Sequence, residues 1–257
     1  MRRERDVLVF AGPSLPVDAA QRWPEARFAP PAQAGDVLAR LGDPPAAIVL
    51  IDGCFDSCAS VWHKELLLLA AAGARLWGAA SMGALRAAEL AGLGMTGVGS
   101  IFHAYRSGLL TGDDEVALLH APGDLGWRAL TIAMVEVRAA LWLGCRRGIW
   151  RAEQARAIRR EVHDIHFADR DRQAIAHLFS GRPEIRQPLL ALLDDPAAAV
   201  KRRDAVRCLD LALAGAVTVA MPSPRDPPVP LTCFVRDLAA RVGVTLPADR
   251  TPSPPTP

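Results

Sequence analysis

The sequence predicts an α/β fold: an open, Rossmann-like parallel-sheet domain, then a helical region, then a proline-rich tail. Three observations carry this. Short apolar, β-prone runs alternate with helix-like segments over the first 125 residues, joined by connections that suit right-handed βαβ units. From Trp127 onward only helical periodicity remains. Proline then dominates Met221–Pro230 and Pro247–Pro257. The expected organisation is 1–125 as the α/β core, 126–220 as helices packed on it, and 221–257 as linker and tail.

The elements follow in order. Asp6–Ala11 reads as a strand closed by Gly12-Pro13, and Ala26–Ala29 as a second ended by Pro30-Pro31. Gly35–Leu41 reads as a short helix. Ala46–Ile51 is apolar on both faces, as a central parallel strand must be. Ser60 is placed to cap a helix over Val61–Ala72, with Gly73 as its stop. Arg75–Ala80 is the next strand, and Ser81 leads into a helix over Ala84–Ala91. The helical half is expected at Trp127–Arg146, Arg151–Ile165, Asp169–Phe179, Pro188–Leu193 and Ala199–Leu213, with Leu231–Val242 as a segment able to dock.

Composition narrows the function. The chain has 257 residues, 51% of them hydrophobic, with 30 basic and 28 acidic side chains and a net charge of +2. It is too apolar to be wholly disordered. So small a charge offers no broad attraction to nucleic acid or an anionic membrane. No apolar stretch reaches the roughly 18 residues of a membrane span. The apolar run Val7–Ala11 is too short for a signal sequence, and five scattered cysteines suggest no disulfide framework. A cytoplasmic protein is expected. Only two basic residues are lysines, Lys64 and Lys201. In a chain that otherwise uses arginine, a retained lysine hints that an amine is needed. Lys201 lies in Lys201-Arg-Arg203, which reads as an exposed helical face where arginine would serve as well. Lys64 is the more suggestive.

In an open parallel sheet, ligands bind outside the carboxyl ends of the strands. Three such ends carry suggestive loops: Gly12–Leu15, Asp52–Ser60 and Gly78–Gly83. Lys64 and Ser81 would face that same edge. The small residues around Ser81 permit a tight turn like a nucleophile elbow, with the Met82 and Gly83 N–H groups placed to hold an oxyanion. An ordinary serine helix cap is the simpler reading. Lys64, or one of His63, His103 and His120, is available as a base, although Lys64 is equally read as paired with Glu65. Weaker sets are Cys54, Cys58 and His63 as zinc ligands, His163 and His166 as a metal pair, and Gly12–Leu15 as a phosphate loop. Asp113, Asp114 and Glu115 read as a magnesium site, a partner-facing acidic patch, or the acidic cap of a helix over Glu115–His120. No metal or cofactor is expected.

The blocks Ser60-Val-Trp-His-Lys-Glu65 and Gly78-Ala-Ala-Ser-Met-Gly-Ala-Leu-Arg-Ala-Ala-Glu-Leu90 resemble the TfuA-like family. With them stand Gly12–Leu15, Ile51–Gly53, Gly94–Gly99 and Asp113–Ala117, in the family's order, over roughly residues 6–140. The resemblance implies an accessory protein of peptide backbone thioamidation. Its partner would be a YcaO enzyme, reaching the peptide substrate through it. It would hydrolyse the C-terminal thiocarboxylate of a ThiS-like sulfur carrier, release sulfide and strengthen YcaO substrate engagement. The implied Ser–Lys pair maps onto Ser81 and Lys64. Asp52, His63, Arg86 and Glu89 lie in the same blocks and are expected to shape the site, with Asp113–Glu115 facing a partner. A non-catalytic YcaO-activating adaptor and a generic nucleotide- or small-molecule-binding domain are the alternatives.

Overall fold

A computed structural model describes residues 6–55, 58–215 and 229–247. Most of both proline-rich stretches lies outside these residues. Five strands form one parallel sheet: β1 (Val7–Phe10), β2 (Ala26–Ala29), β3 (Ala47–Leu50), β4 (Arg75–Ala79) and β5 (Thr96–Val98). Their order is β2-β1-β3-β4-β5. It reverses between β1 and β3, where doubly wound sheets open a crevice at the strands' carboxyl ends.

Both faces of the sheet are covered. Leu8, Phe10, Ile48, Leu50 and Leu76 pack under α2 (His63–Ala71), α3 (Met82–Leu90) and α4 (Ser100–Arg106). Val7, Val9, Val49, Ile51 and Trp77 face α1 (Ala19–Arg22) and α9 (Val200–Leu213). The alternation of faces along β1 and β3, every residue buried, explains why these runs are continuously apolar.

The helices α5 (Met134–Arg146), α6 (Ala152–His163), α7 (Arg172–Leu178) and α8 (Pro183–Leu193) enclose a separate cluster around Met134, Leu141, Ile158, Phe179 and Leu189. α10 (Cys233–Val242) sets Val235, Leu238 and Ala239 against Leu38 and Leu68.

Several expectations are corrected. The helix expected over Gly35–Leu41 is only a 3-10 turn at Leu38–Arg40. The helix expected from Trp127 begins at Met134, because His120 bridges Ala129 and Trp127 takes a left-handed conformation (φ 56°). No α-helix spans Glu115–His120: a 3-10 turn at Asp113–Glu115 takes its place. β5 and α4 were not anticipated. β5 has only three residues, one of them Gly97, too few to show a period. Proline 188 lies inside α8, which starts one and a half turns earlier with Pro183 in its first turn.

Candidate active site

The site is built on the turn between β4 and α3. Gly78 and Gly83 let this turn lie against β3 backbone to backbone. A Cβ on Gly83 would sit 1.7 Å from the Leu50 carbonyl oxygen, and one on Gly78 would sit 2.2 Å from that of Gly83. Between them Ala80 is forced to φ 66°, a left-handed conformation that is strained for alanine. The Ser81 N–H closes a tight bond of 2.7 Å to the Ala79 carbonyl.

Ser81 holds the N-cap position of α3 but makes no capping hydrogen bond. The simple helix-cap reading is thereby set aside. Its hydroxyl, on a residue 3% exposed, points instead to the Val116 carbonyl at 3.5 Å, the long limit of a hydrogen bond. The Gly83 N–H donates to the Ile51 carbonyl at 3.1 Å, so it is not available to an oxyanion. Met82 N–H remains in the first turn of α3, where backbone donors lack intrahelical acceptors.

The structure does not bring Lys64 to Ser81. The Lys64 amine donates to the Thr232 hydroxyl at 3.3 Å, next to α10. Nor does Lys64 pair with Glu65. That carboxylate is buried and accepts the N–H groups of Gly35, Leu38 and Trp62, which ties the start of α2 to the preceding loop. Burial raises its pKa despite these three donors.

The lysine that does approach Ser81 is Lys201. Rather than lying on an exposed face, it is 2% exposed, and its amine donates to the same Val116 carbonyl at 2.9 Å. Burial pushes its pKa down, while the charges of Asp52 and Glu136 pull it back up. Burial raises that of Glu136 in turn. The buried positions of α9 include Lys201, Ala205, Cys208 and Ala212. That stripe is helically spaced, and it was the signal that would have placed Lys201 inside; the basic run Lys201-Arg-Arg203 masked it.

Asp52 follows β3 and is 2% exposed. One carboxylate oxygen accepts the N–H groups of Gly12 and Ser14, at 2.8 and 3.0 Å. The loop donors considered for a phosphate are therefore already held by an internal carboxylate. A cavity of about 500 Å³ opens beside this corner, lined by Ser14, Glu136, Lys201, Arg202 and Arg203 among others. Ser14 belongs to the Gly12–Leu15 loop named in the sequence, whereas Glu136 was missed there, having no motif of its own.

The remaining candidates form a second group. His63 Nε2 lies 2.7 Å from Glu89, which also pairs with Arg86 at 2.7 Å, and Arg86 donates to the Val61 carbonyl. Met82, Arg86, Glu89 and Asp113 line a cavity of about 320 Å³, separate from the first. His120 contacts the Ala121 carbonyl and His103 stands exposed on α4; neither meets Ser81.

The acidic triplet is not one surface patch. Glu115 is buried in an ion pair with Arg138, Asp114 pairs with His163 at 3.4 Å, and Asp113 alone is exposed. The Cys54 thiol is pushed up to about 12 by burial and by its contact with Cys58, which leaves it mostly protonated. Among the described residues no group of three or more His, Cys, Asp or Glu side chains is placed to hold a metal ion. No helix among them is long and apolar enough to cross a membrane.

No curated protein matches the chain. The family model described as TfuA-like protein matches residues 52–171, a span that contains Asp52, Ser81, Val116 and Glu136 but ends before Lys201. That match over residues 52–171 supports a TfuA-like assignment for the chain.

Proposed function

We propose that the chain is an accessory hydrolase of peptide backbone thioamidation. It cleaves the C-terminal thiocarboxylate of a ThiS-like sulfur carrier, releases sulfide to a partner YcaO enzyme, and strengthens that enzyme's engagement with its peptide. The match to the TfuA-like family model supports a role linked to YcaO-dependent thioamidation and to YcaO partners. The hydrolytic chemistry is our reading.

One observation carries it: the Ser81 hydroxyl is withheld from capping α3 and set instead, on a strained turn, at the carboxyl edge of the sheet. A capping serine would stabilise the helix, whereas this geometry spends strain to aim an oxygen elsewhere. Attack by that oxygen on a thiocarboxylate carbon forms an acyl-serine and expels sulfur, a far better leaving group than an amide nitrogen. Water then cleaves the ester. Developing negative charge lies at the N-terminus of α3, where the helix dipole favours it.

Ser81→Ala tests the reading by colorimetric sulfide release from a thiocarboxylated ThiS-like carrier. The variant is expected to fall to the uncatalysed rate. Sulfide release at the wild-type rate would sink the hydrolase. The adaptor reading draws on a different observation, the near-complete burial of Ser81. It is favoured if Ser81→Ala still enhances YcaO turnover and the wild type releases no sulfide.

A further inference from the structure

We propose that the loop after β1 and the hairpin at residues 119–130 form a docking lip for a carrier protein whose C-terminal tail enters the cavity of about 500 Å³; this rests on the hydrolase reading above. Ser81 is 3% exposed, so a folded protein cannot bring its body to that hydroxyl. Only a narrow chain terminus fits, and the rest of such a substrate must be held outside the opening. The two segments beside the cavity carry apolar surface for this. Val17 is 87% exposed, Leu125 66%, Leu130 48% and Leu119 41%.

These segments touch each other. A Cβ on Gly126 would meet the Val17 Cγ1 at 3.4 Å, and one on Gly12 would meet the Trp127 Cβ at 3.5 Å. The hairpin is closed by the His120–Ala129 bridge and by the Leu130 N–H, which donates to the Leu119 carbonyl. Near its turn Trp127 holds φ 56°, packed edge-on to His120 with ring centroids 5.3 Å apart. That conformation is strained for a bulky residue, and such strain is kept where a shape serves binding. Pro13 and Ser14 from the loop, with Leu118 and Ala129 from the hairpin and its approach, line the cavity itself. The exposed apolar cluster therefore continues into the cavity wall, and the exposed Asp124 and Arg128 border it. Apolar patches rimmed by polar groups mark interaction surfaces.

Charge decides what the cavity receives. Asp194 and Asp195 on its wall are already held by Arg172 and Arg147. Glu136 on the same wall feels the charges of Lys201 and Arg202. Arg202 and Arg203 stand exposed there, so an anionic chain terminus is drawn inward. Lys201 lies on this wall too, and its amine shares the Val116 carbonyl with the Ser81 hydroxyl; the cavity thus leads toward the serine. The lip is apolar where the cavity is cationic. The occupant that suits both is a small protein with an apolar face beside an extended tail that ends in an anion.

The test uses the full chain, a thiocarboxylated ThiS-like carrier, and a short peptide thiocarboxylate copying the carrier's tail. Val17→Asp combined with Leu125→Asp places charge on side chains that already face solvent. The wild type is expected to prefer the carrier to the peptide in kcat/KM, and the double variant to lose about 10-fold of that preference through KM. A preference absent from the wild type, or kept within about 2-fold by the variant, overturns the lip. So does an equal fall with carrier and peptide, since these residues would then shape the cavity and dock nothing. Arg202→Glu is expected to raise KM for both substrates, as added salt should for the wild type; a KM indifferent to both overturns tail entry through this cavity. If the wild type hydrolyses neither substrate, the hydrolase reading has failed and docking is measured alone. The labelled carrier in its carboxylate form should then bind the double variant about 10-fold more weakly by fluorescence anisotropy, and equal affinity overturns the proposal. Val17→Ser with Leu125→Ser repeats each comparison should the charges disturb folding. A wild-type dimer that the double variant dissociates in sedimentation would assign the lip to a second copy of the chain and overturn the carrier as its occupant.

Discussion

Ser14 and Asp52 join the loop after β1 to the end of β3. The serine hydroxyl donates to one carboxylate oxygen at 2.6 Å, while the other takes the N–H groups of Gly12 and Ser14. This pair fills the crevice at the switch point of the sheet with an internal anion, and that anion raises the pKa of Lys201 against the lowering effect of burial.

Asp52→Asn tests that coupling. Removing the negative charge lowers the Lys201 pKa further, so a rate that needs the neutral amine should begin to rise at lower pH. The acid limb of the sulfide-release profile is expected to move toward acid. A shift toward alkali would contradict the coupling. The amide also sets an NH₂ group against donors or leaves one unpaired, costing roughly 1–3 kcal/mol, measurable by urea unfolding. Ser14→Ala removes one bond and keeps the charge, so its profile should stay in place.

Gly83→Ala addresses the turn itself. The new Cβ would lie 1.7 Å from the Leu50 carbonyl oxygen and 3.2 Å from the Ile51 nitrogen. Both neighbours are backbone and cannot swing aside. The cost is expected to reach roughly 3 kcal/mol, the upper part of the overpacking range, with Tm falling by roughly 6–12 °C. Gly73→Ala is the comparison. That glycine has nothing within 4 Å of a Cβ, and its penalty comes only from φ 99°. A Gly83→Ala protein as stable as the Gly73→Ala protein would show that the close approach is not what glycine serves at 83.

The sheet was legible because β1, β3 and β4 are apolar on both faces and are punctuated by Gly-Pro, Asp-Gly and Ser81. So was the placement of Ser81 at a strand-to-helix turn. The identity of its lysine was not. Sequence neighbourhood put Lys64 near Ser81, since both follow adjacent strands. The direction of each side chain is set by tertiary packing, which gives Lys64 to Thr232, just before α10. Lys201 reaches the same edge from more than a hundred residues away, on a helix whose arginines disguise its buried stripe. Asp113, Asp114 and Glu115 look alike in sequence, and only the approach of Arg138 and His163 separates an internal charge from external ones.

Arg138→Met examines that internal charge. Glu115 has a side chain 6% exposed, and Arg138, 26% exposed on α5, holds it through two of its nitrogens. The residue after Glu115 is Val116, whose carbonyl carries both Ser81 and Lys201; the ion pair therefore anchors the segment that aligns them. Removing the arginine leaves a buried carboxylate without its partner and is expected to cost about 3 kcal/mol. The double variant Glu115→Leu/Arg138→Met removes the stranded charge and should regain most of that loss, which a double-mutant cycle in urea would measure. Equal stability of the single and double variants would mean that the carboxylate finds water or another donor. Recovered stability without recovered sulfide release would instead show that the pair's role is to place the Val116 carbonyl.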